Sequence, residues 1–275
     1  MRKCKELFLS RIRDSDLDQL SALEGSQSAM KGCLILMLLS ATGVTQKNIS
    51  IEKIKLPDDL TIPYMVYLQS SPEPCVGALI HPQWVLTAAH CPLPVKIRLG
   101  VYQPSIKNKK EQFRNYSLTV SHPDFDAYSL QNDLMMIKLS KPAMLNTYVG
   151  TIAVALEPTV FNESCFISTW TWDDYKNNSD PDIITWISQY PLSSSDCYNV
   201  LQQQERAKVN IMCVGQPLSL ITKIKQEVSA ALAICSGRLH GILSWSKGGY
   251  TLGNEGFFTR IHAYARWIMK IMESY

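Results

Sequence analysis

Trp84-Val85-Leu86-Thr87-Ala88-Ala89-His90-Cys91 is the stretch on which the reading of this chain turns. Its first four residues are aromatic, aliphatic or β-branched, the composition of a strand, and the run ends in a histidine and a cysteine, with Cys75 sixteen residues upstream. Outward from it, short apolar or β-branched runs recur at 64–68, 95–99, 118–121, 134–139, 184–187 and 239–245, separated by Pro, Gly, Asn and Asp clusters. That alternation predicts an all-β barrel or sandwich. From His262 onward, Ala263, Trp267, Ile268 and Ile271 recur at helical spacing with no Gly or Pro between them, which predicts an amphipathic C-terminal helix docked on the β core. No internal repeat is visible.

A chain of 275 residues with 46% hydrophobic content can form one large all-β unit or two barrels sharing a cleft. Its net charge of +3 is mild and gives no reason to expect nucleic acid as a partner; Lys107, Lys109 and Lys110 read as a solvated loop. His81, His122, His240 and His262 show no metal-ligand spacing, so neither a metal nor a cofactor is expected.

The His90 segment resembles the histidine signature of the trypsin-like, chymotrypsin-fold serine proteases (peptidase family S1). Asn132-Asp133-Leu134-Met135-Met136-Ile137-Lys138-Leu139 resembles that family's aspartate motif. Leu243-Ser244-Trp245 and Gly256-Phe257-Phe258-Thr259 resemble the strands that wall its primary pocket, and Ser229 falls where its nucleophile would stand. The resemblance spans roughly Ile51 to Ile271. It is nearest to the trypsin-X-like members regarded as inactive, which carry a similar Glu-Val-Ser-Ala-Ala segment. It implies two six-stranded antiparallel β-barrels with a short C-terminal α-helix, the first barrel over about 51–150 and the second, with the helix, over about 151–275. It also implies a triad of His90, Asp133 and Ser229, in the family's chain order. An oxyanion hole would come from the backbone of Glu227 and Ser229, and a substrate pocket from Lys223, Ser244, Trp245, Ser246 and Gly256.

The cysteines point to an oxidising compartment. Cys4 and Cys33 lie near the N-terminus, and the other six alone allow 15 connectivities. The resemblance implies Cys75 with Cys91, Cys165 with Cys235, and Cys197 with Cys213. The bridge that in the family ties the nucleophile loop to the pocket rim has lost both ends, at Lys225 and near Tyr250, which leaves that loop untethered. Residues 30–43 read as a signal peptide: Met30-Lys31-Gly32 is a short basic region, Cys33 to Leu39 an apolar run, and Ala41-Thr42-Gly43 a small-residue cleavage site. The run is too short to span a bilayer. Residues 1–29, rich in Arg, Lys, Asp and Ser, read as a non-structural extension ahead of a start at Met30 rather than as a functional arm. Sequons at Asn48, Asn115, Asn162 and Asn177 fit a secreted glycoprotein without a membrane span.

Against the resemblance stand several departures. Glu227 replaces the glycine whose N–H helps form the oxyanion hole, so a β-carbon restricts the backbone and a carboxylate enters where negative charge must be stabilised. Val228 replaces the aspartate that pairs with the new N-terminal amine after activation. Ser50-Ile51-Glu52-Lys53-Ile54 offers neither a basic cleavage residue nor the small insert that follows it in the family. Ala230 and Ala231 stand for glycines, and Leu232 for a proline. In the pocket, Lys223 near the floor would repel basic side chains, and Ser246 replaces a glycine on the wall. The loop after Gly100 keeps only Glu111 of the carboxylates that hold calcium in trypsins, and a lysine is expected in that volume. Two functional expectations follow. The first is a secreted, non-catalytic or severely impaired protease homologue that binds a protein or peptide. The alternative is an active serine endopeptidase using His90, Asp133 and Ser229.

Overall fold

The computed structural model describes residues 62–160, 163–172, 179–203, 205–215, 226–246 and 256–275. The first of its two antiparallel sheets comprises β1 (Met65–Gln69), β2 (Cys75–His81), β3 (Trp84–Thr87), β4 (Lys96–Leu99), β5 (Gln112–Arg114), β6 (Tyr116–Ser121) and β7 (Met135–Leu139). Their order is β5-β4-β1-β2-β3-β7-β6. The two edge strands are parts of one segment, parted only by Asn115: β5 pairs with β4, and β6 pairs with β7. One continuous piece of chain therefore serves both edges and closes the sheet into a barrel. The seven strands are the six expected, with one broken at Asn115.

The second sheet comprises β8 (Cys165–Thr171), β9 (Ile183–Gln189), β10 (Ile211–Val214), β11 (Leu232–Cys235), β12 (Arg238–Ser246) and β13 (Gly256–Arg260), in the order β10-β13-β12-β11-β8-β9. It closes by the same device. Just past β9, Pro191 pairs with Val214, and the Leu192 N–H donates to Cys213 O at 2.9 Å. The architecture is the chymotrypsin-like pair of antiparallel β-barrels.

A continuous buried cluster joins Leu79, Leu86, Ile97 and Met136 of the first barrel to Trp170, Val228, Leu232 and Ile242 of the second. Tyr67 and Trp170 meet edge to face across that boundary, with ring centroids 5.5 Å apart. Gly77 lets β2 and β3 close up, because a β-carbon there would lie 2.5 Å from Val85 Cγ1. Disulfides join Cys75 to Cys91, Cys165 to Cys235, and Cys197 to Cys213. The second of them closes a loop of 70 residues, worth about 4 kcal/mol on a chain-entropy model.

Among the described residues, two helices follow from local signals. The sequence reading expected only the C-terminal one, but α1 (Ser194–Gln202) also forms. Its cap is Ser193, whose Oγ accepts from the Asp196 N–H at 3.1 Å, and Cys197 and Leu201, four apart, are its buried residues. The Ser-x-x-Asp spacing was visible in the sequence. The expected terminal helix is α2 (Ala265–Ser274), preceded by a 3-10 turn over Ile261–Tyr264. That tighter turn shifts the phase of the apolar stripe: Tyr264, Ala265 and Ile268 are buried, whereas Ala263, expected on the stripe, is exposed. Among the described residues, no helix is long and apolar enough to cross a membrane.

Candidate active site

Strand pairing brings the first two functional side chains together. β3 and β7 are antiparallel neighbours with Thr87 opposite Met135, so the chain leaving β3 and the chain entering β7 lie at the same end of the barrel. His90 is three residues beyond Thr87, and Asp133 two before Met135. The turn at Ala88 closes with the Cys91 N–H donating to Ala88 O at 3.3 Å, and the Thr87 hydroxyl anchors it to Val76 O at 2.7 Å. On the other side Asn132 takes a left-handed conformation (φ 55°), and its side-chain oxygen accepts from the Tyr264 hydroxyl at 2.9 Å.

Asp133 is fully buried and gathers three donors. Oδ1 accepts the His90 backbone N–H at 2.8 Å, and Oδ2 accepts His90 Nδ1–H at 2.6 Å together with the Ser244 hydroxyl. With Nδ1 donating to the carboxylate, the neutral imidazole carries its lone pair on Nε2. Nε2 lies 2.8 Å from Ser229 Oγ, so the serine O–H can donate to it. The Ser244 hydroxyl is turned to Asp133, a role additional to the expected one at the pocket wall; a register shift in the β12–β13 pairing occurs between Leu243 and Trp245. That role had no sequence signal of its own.

Ser229 sits on a segment held by its backbone. Gln226 to Val228 continue the pairing with β8: the Trp172 N–H donates to Gln226 O at 3.1 Å and the Val228 N–H to Trp170 O at 2.8 Å. These two bonds flank the Thr171–Glu227 pair, so the Glu227 N–H and C=O turn away from β8. The Thr169 hydroxyl donates to Val228 O at 2.8 Å. Beyond it, Ser229 forms a parallel bridge with Cys75 and accepts the Val76 N–H at 2.8 Å, and Ala231 O accepts the Leu243 N–H at 2.8 Å. Residues 226–231 are thus held by β8, β2 and β12 without a disulfide of their own; the lost bridge ends expected at Lys225 and near Tyr250 lie outside the described residues. Val228 is 1% exposed and belongs to the shared core, filling with apolar surface a place where a carboxylate would have needed a partner. Glu227 and Ser229 are half-buried. Ala230 is fully buried at φ +63°, a conformation that glycine adopts readily and alanine does not.

Three of the remaining expected pocket positions, Trp245, Ser246 and Gly256, lie together on the paired strands β12 and β13. Trp245 stacks on Phe257 with centroids 5.1 Å apart, and Ser246 pairs with Gly256 at the mouth of β12 and β13. Lys223 lies outside the described residues, as do Asn48, Asn162, Asn177 and the leader-like segment 30–43. Asn115 is exposed at the break between β5 and β6.

The loop after Gly100 corrects another expectation, since an arginine and not a lysine occupies it. Arg98, almost fully buried, grips Glu111 in a bidentate pair, Nε to Oε2 at 2.9 Å and Nη2 to Oε1 at 3.1 Å. Oε1 also accepts the Asn108 N–H at 3.0 Å, so both carboxylate oxygens are engaged by donors that a calcium ion would have to displace. Lys110 leans out over Tyr148, with Nζ 4.0 Å from the ring centroid. Cys75, His90 and Cys91 bring three potential metal donors together, but the two sulfurs are bonded to each other.

Comparison with known proteins agrees with this geometry. The family model described as Trypsin matches residues 55–268. The chain is 36% identical over 220 residues to a Bos taurus protein described as probable inactive serine protease 58, covering 79% of this chain and 90% of that one. It is 37% identical over 216 residues to serine protease 58 of Homo sapiens, covering 78% and 89%. To the trypsin of Sus scrofa it is 34% identical over 211 residues, covering 76% and 90%.

Proposed function

The chain belongs to the trypsin family of serine proteases, and from that premise we propose that it is a secreted homologue with severely impaired catalysis that acts by binding a protein or peptide. The observation that carries this reading is the pair Glu227 and Val228. Peptide hydrolysis would require Ser229 Oγ to attack a carbonyl while His90 Nε2 takes its proton and Asp133 holds the Nδ1–H. The carbonyl oxygen would become an anion that must be met by the backbone N–H groups of residues 227 and 229. A half-buried glutamate at 227 adds negative charge beside that anion. A valine sealed in the core at 228 offers no carboxylate for an activation ion pair. Three disulfides support an oxidising, extracellular setting.

A second reading rests on a different observation. The 2.8 Å contact between His90 Nε2 and Ser229 Oγ, on a loop ordered by backbone bonds, favours an endopeptidase that works without the activation ion pair. Fluorophosphonate labelling of the purified protein separates the two, with Ser229→Ala as control. No label on folded wild type is the expected result, and Ser229-dependent labelling at the rate of an active trypsin would overturn the impaired reading.

A further inference from the structure

Away from Ser229, a second set of side chains converges on a cavity between α1, β10, β12 and β13. We propose that this cavity binds a small tetrahedral oxyanion of the phosphate or sulfate class. Its volume is about 90 Å³, near that of three waters at roughly 30 Å³ each, and His240, Arg260, His262, Ser193 and Ser194 contribute to its wall.

Each wall brings a donor or a positive charge. His240, on β12, is only 7% exposed, and its ring makes no hydrogen bond among the described residues. His262, on the 3-10 turn, has an Nδ1 sealed from solvent with no hydrogen-bond partner there. Arg260 gives one N–H to Ile211 O at 2.9 Å and holds its charge at the cavity wall. The fourth side is the start of the nine-residue α1, where backbone N–H groups and the positive end of the helix dipole gather. Asp196, in the first turn, is the opposing charge on α1, and its carboxylate is taken up by the Ser193 hydroxyl at 2.6 Å. A sealed polar atom without a partner is costly, and His262 Nδ1 here borders a space that one multivalent acceptor could fill.

The electrostatics select an anion. Burial, then neighbouring His262 and Arg238, holds His240 below the usual histidine value; burial and then Arg260 do the same to His262. Burial also lowers Arg260. A metal cation would meet this same repulsion, with no carboxylate on the cavity wall among the described residues to offset it. An oxyanion reverses it, stabilising the imidazolium forms and tightening as pH falls. A tetrahedral anion suits donors that arrive from two strands, a turn and a helix end, since its oxygens point in as many directions.

The test is an NMR titration of the His240 and His262 ring resonances with sodium sulfate and sodium phosphate, ionic strength being fixed with sodium chloride. Saturable shifts are expected, with both histidine pKa values rising and apparent affinity growing from pH 7.5 to pH 6. Arg260→Gln and His262→Gln should each weaken sulfate about tenfold, or about 1.4 kcal/mol. The second variant changes a half-buried position that makes no described side-chain bond, so it guards against an Arg260 variant that fails to fold. Shifts identical under chloride, acetate binding as tightly as sulfate, or full affinity in folded His262→Gln would each overturn the proposal. None of these results bears on Ser229.

Discussion

His90 and Asp133 on one side, and residues 226–231 on the other, meet at Ser229 Oγ but are held in place by different kinds of bond. The first pair is fixed by side chains: the buried Asp133 carboxylate accepts a backbone N–H, an imidazole and the Ser244 hydroxyl. Removing the Asp133 carboxylate strands all three donors at once. The serine loop is fixed mainly by its main chain, through bonds between Val228 and Trp170, Trp172 and Gln226, Val76 and Ser229, and Leu243 and Ala231. Such bonds survive almost any change of side chain. The difference means that side chains around the nucleophile can vary while the loop keeps its place, whereas the carboxylate that positions the base cannot.

The comparison can be broken most severely at Val228. Val228→Asp, the residue type that the family resemblance places there, would put a carboxylate in the shared core and is expected to cost about 3–5 kcal/mol. At 2–4 °C per kcal/mol, thermal unfolding should register a large fall. An unchanged melting temperature would show that a partner for the charge exists. Glu227→Gly acts on chemistry instead. With the Glu227 carboxylate gone and backbone freedom restored, fluorophosphonate inactivation should quicken by about 10²- to 10³-fold. No gain would move the defect to another part of the site.

Two pairs of variants sharpen the contrast further. Asp133→Ala leaves three donors unpaired and should lose about 2–3 kcal/mol in urea unfolding, whereas Ser229→Ala, half-buried and held by its backbone, should stay within about 0.5 kcal/mol. Equal losses would remove the distinction between the two regions. Smallest is the difference between neighbours. Ala231→Gly should cost about 1 kcal/mol in lost methyl burial and backbone entropy. Ala230→Gly should be nearly neutral, because relief of the +63° φ offsets the same losses.

The sequence made the strands legible, because their apolar runs alternate with turn residues, and the His90 segment was readable through its likeness to a family. The strand break at Asn115 was not legible, since one residue can interrupt a ladder without leaving a compositional mark. Nor was the use of Ser244 against Asp133, which depends on the local register of β12, a property set by pairing across the sheet. Helix α1 could have been found from Ser193 and Asp196, but its short run of polar residues is masked by propensity. What holds residues 226–231 without a disulfide was hidden for a further reason: it is mostly backbone hydrogen bonding, to which residue type gives no direct clue.

One feature links the two regions covalently. Cys75 lies across from Ser229 in a parallel bridge, Cys91 directly follows His90, and a single S–S bond joins them. The neighbour of the base is thus stapled to the neighbour of the nucleophile. Both sulfurs are buried, so a reductant reaches them only when the surrounding strands open. Reduction of this one bond would therefore release both neighbours at once, and it can proceed only after the first barrel has opened around them.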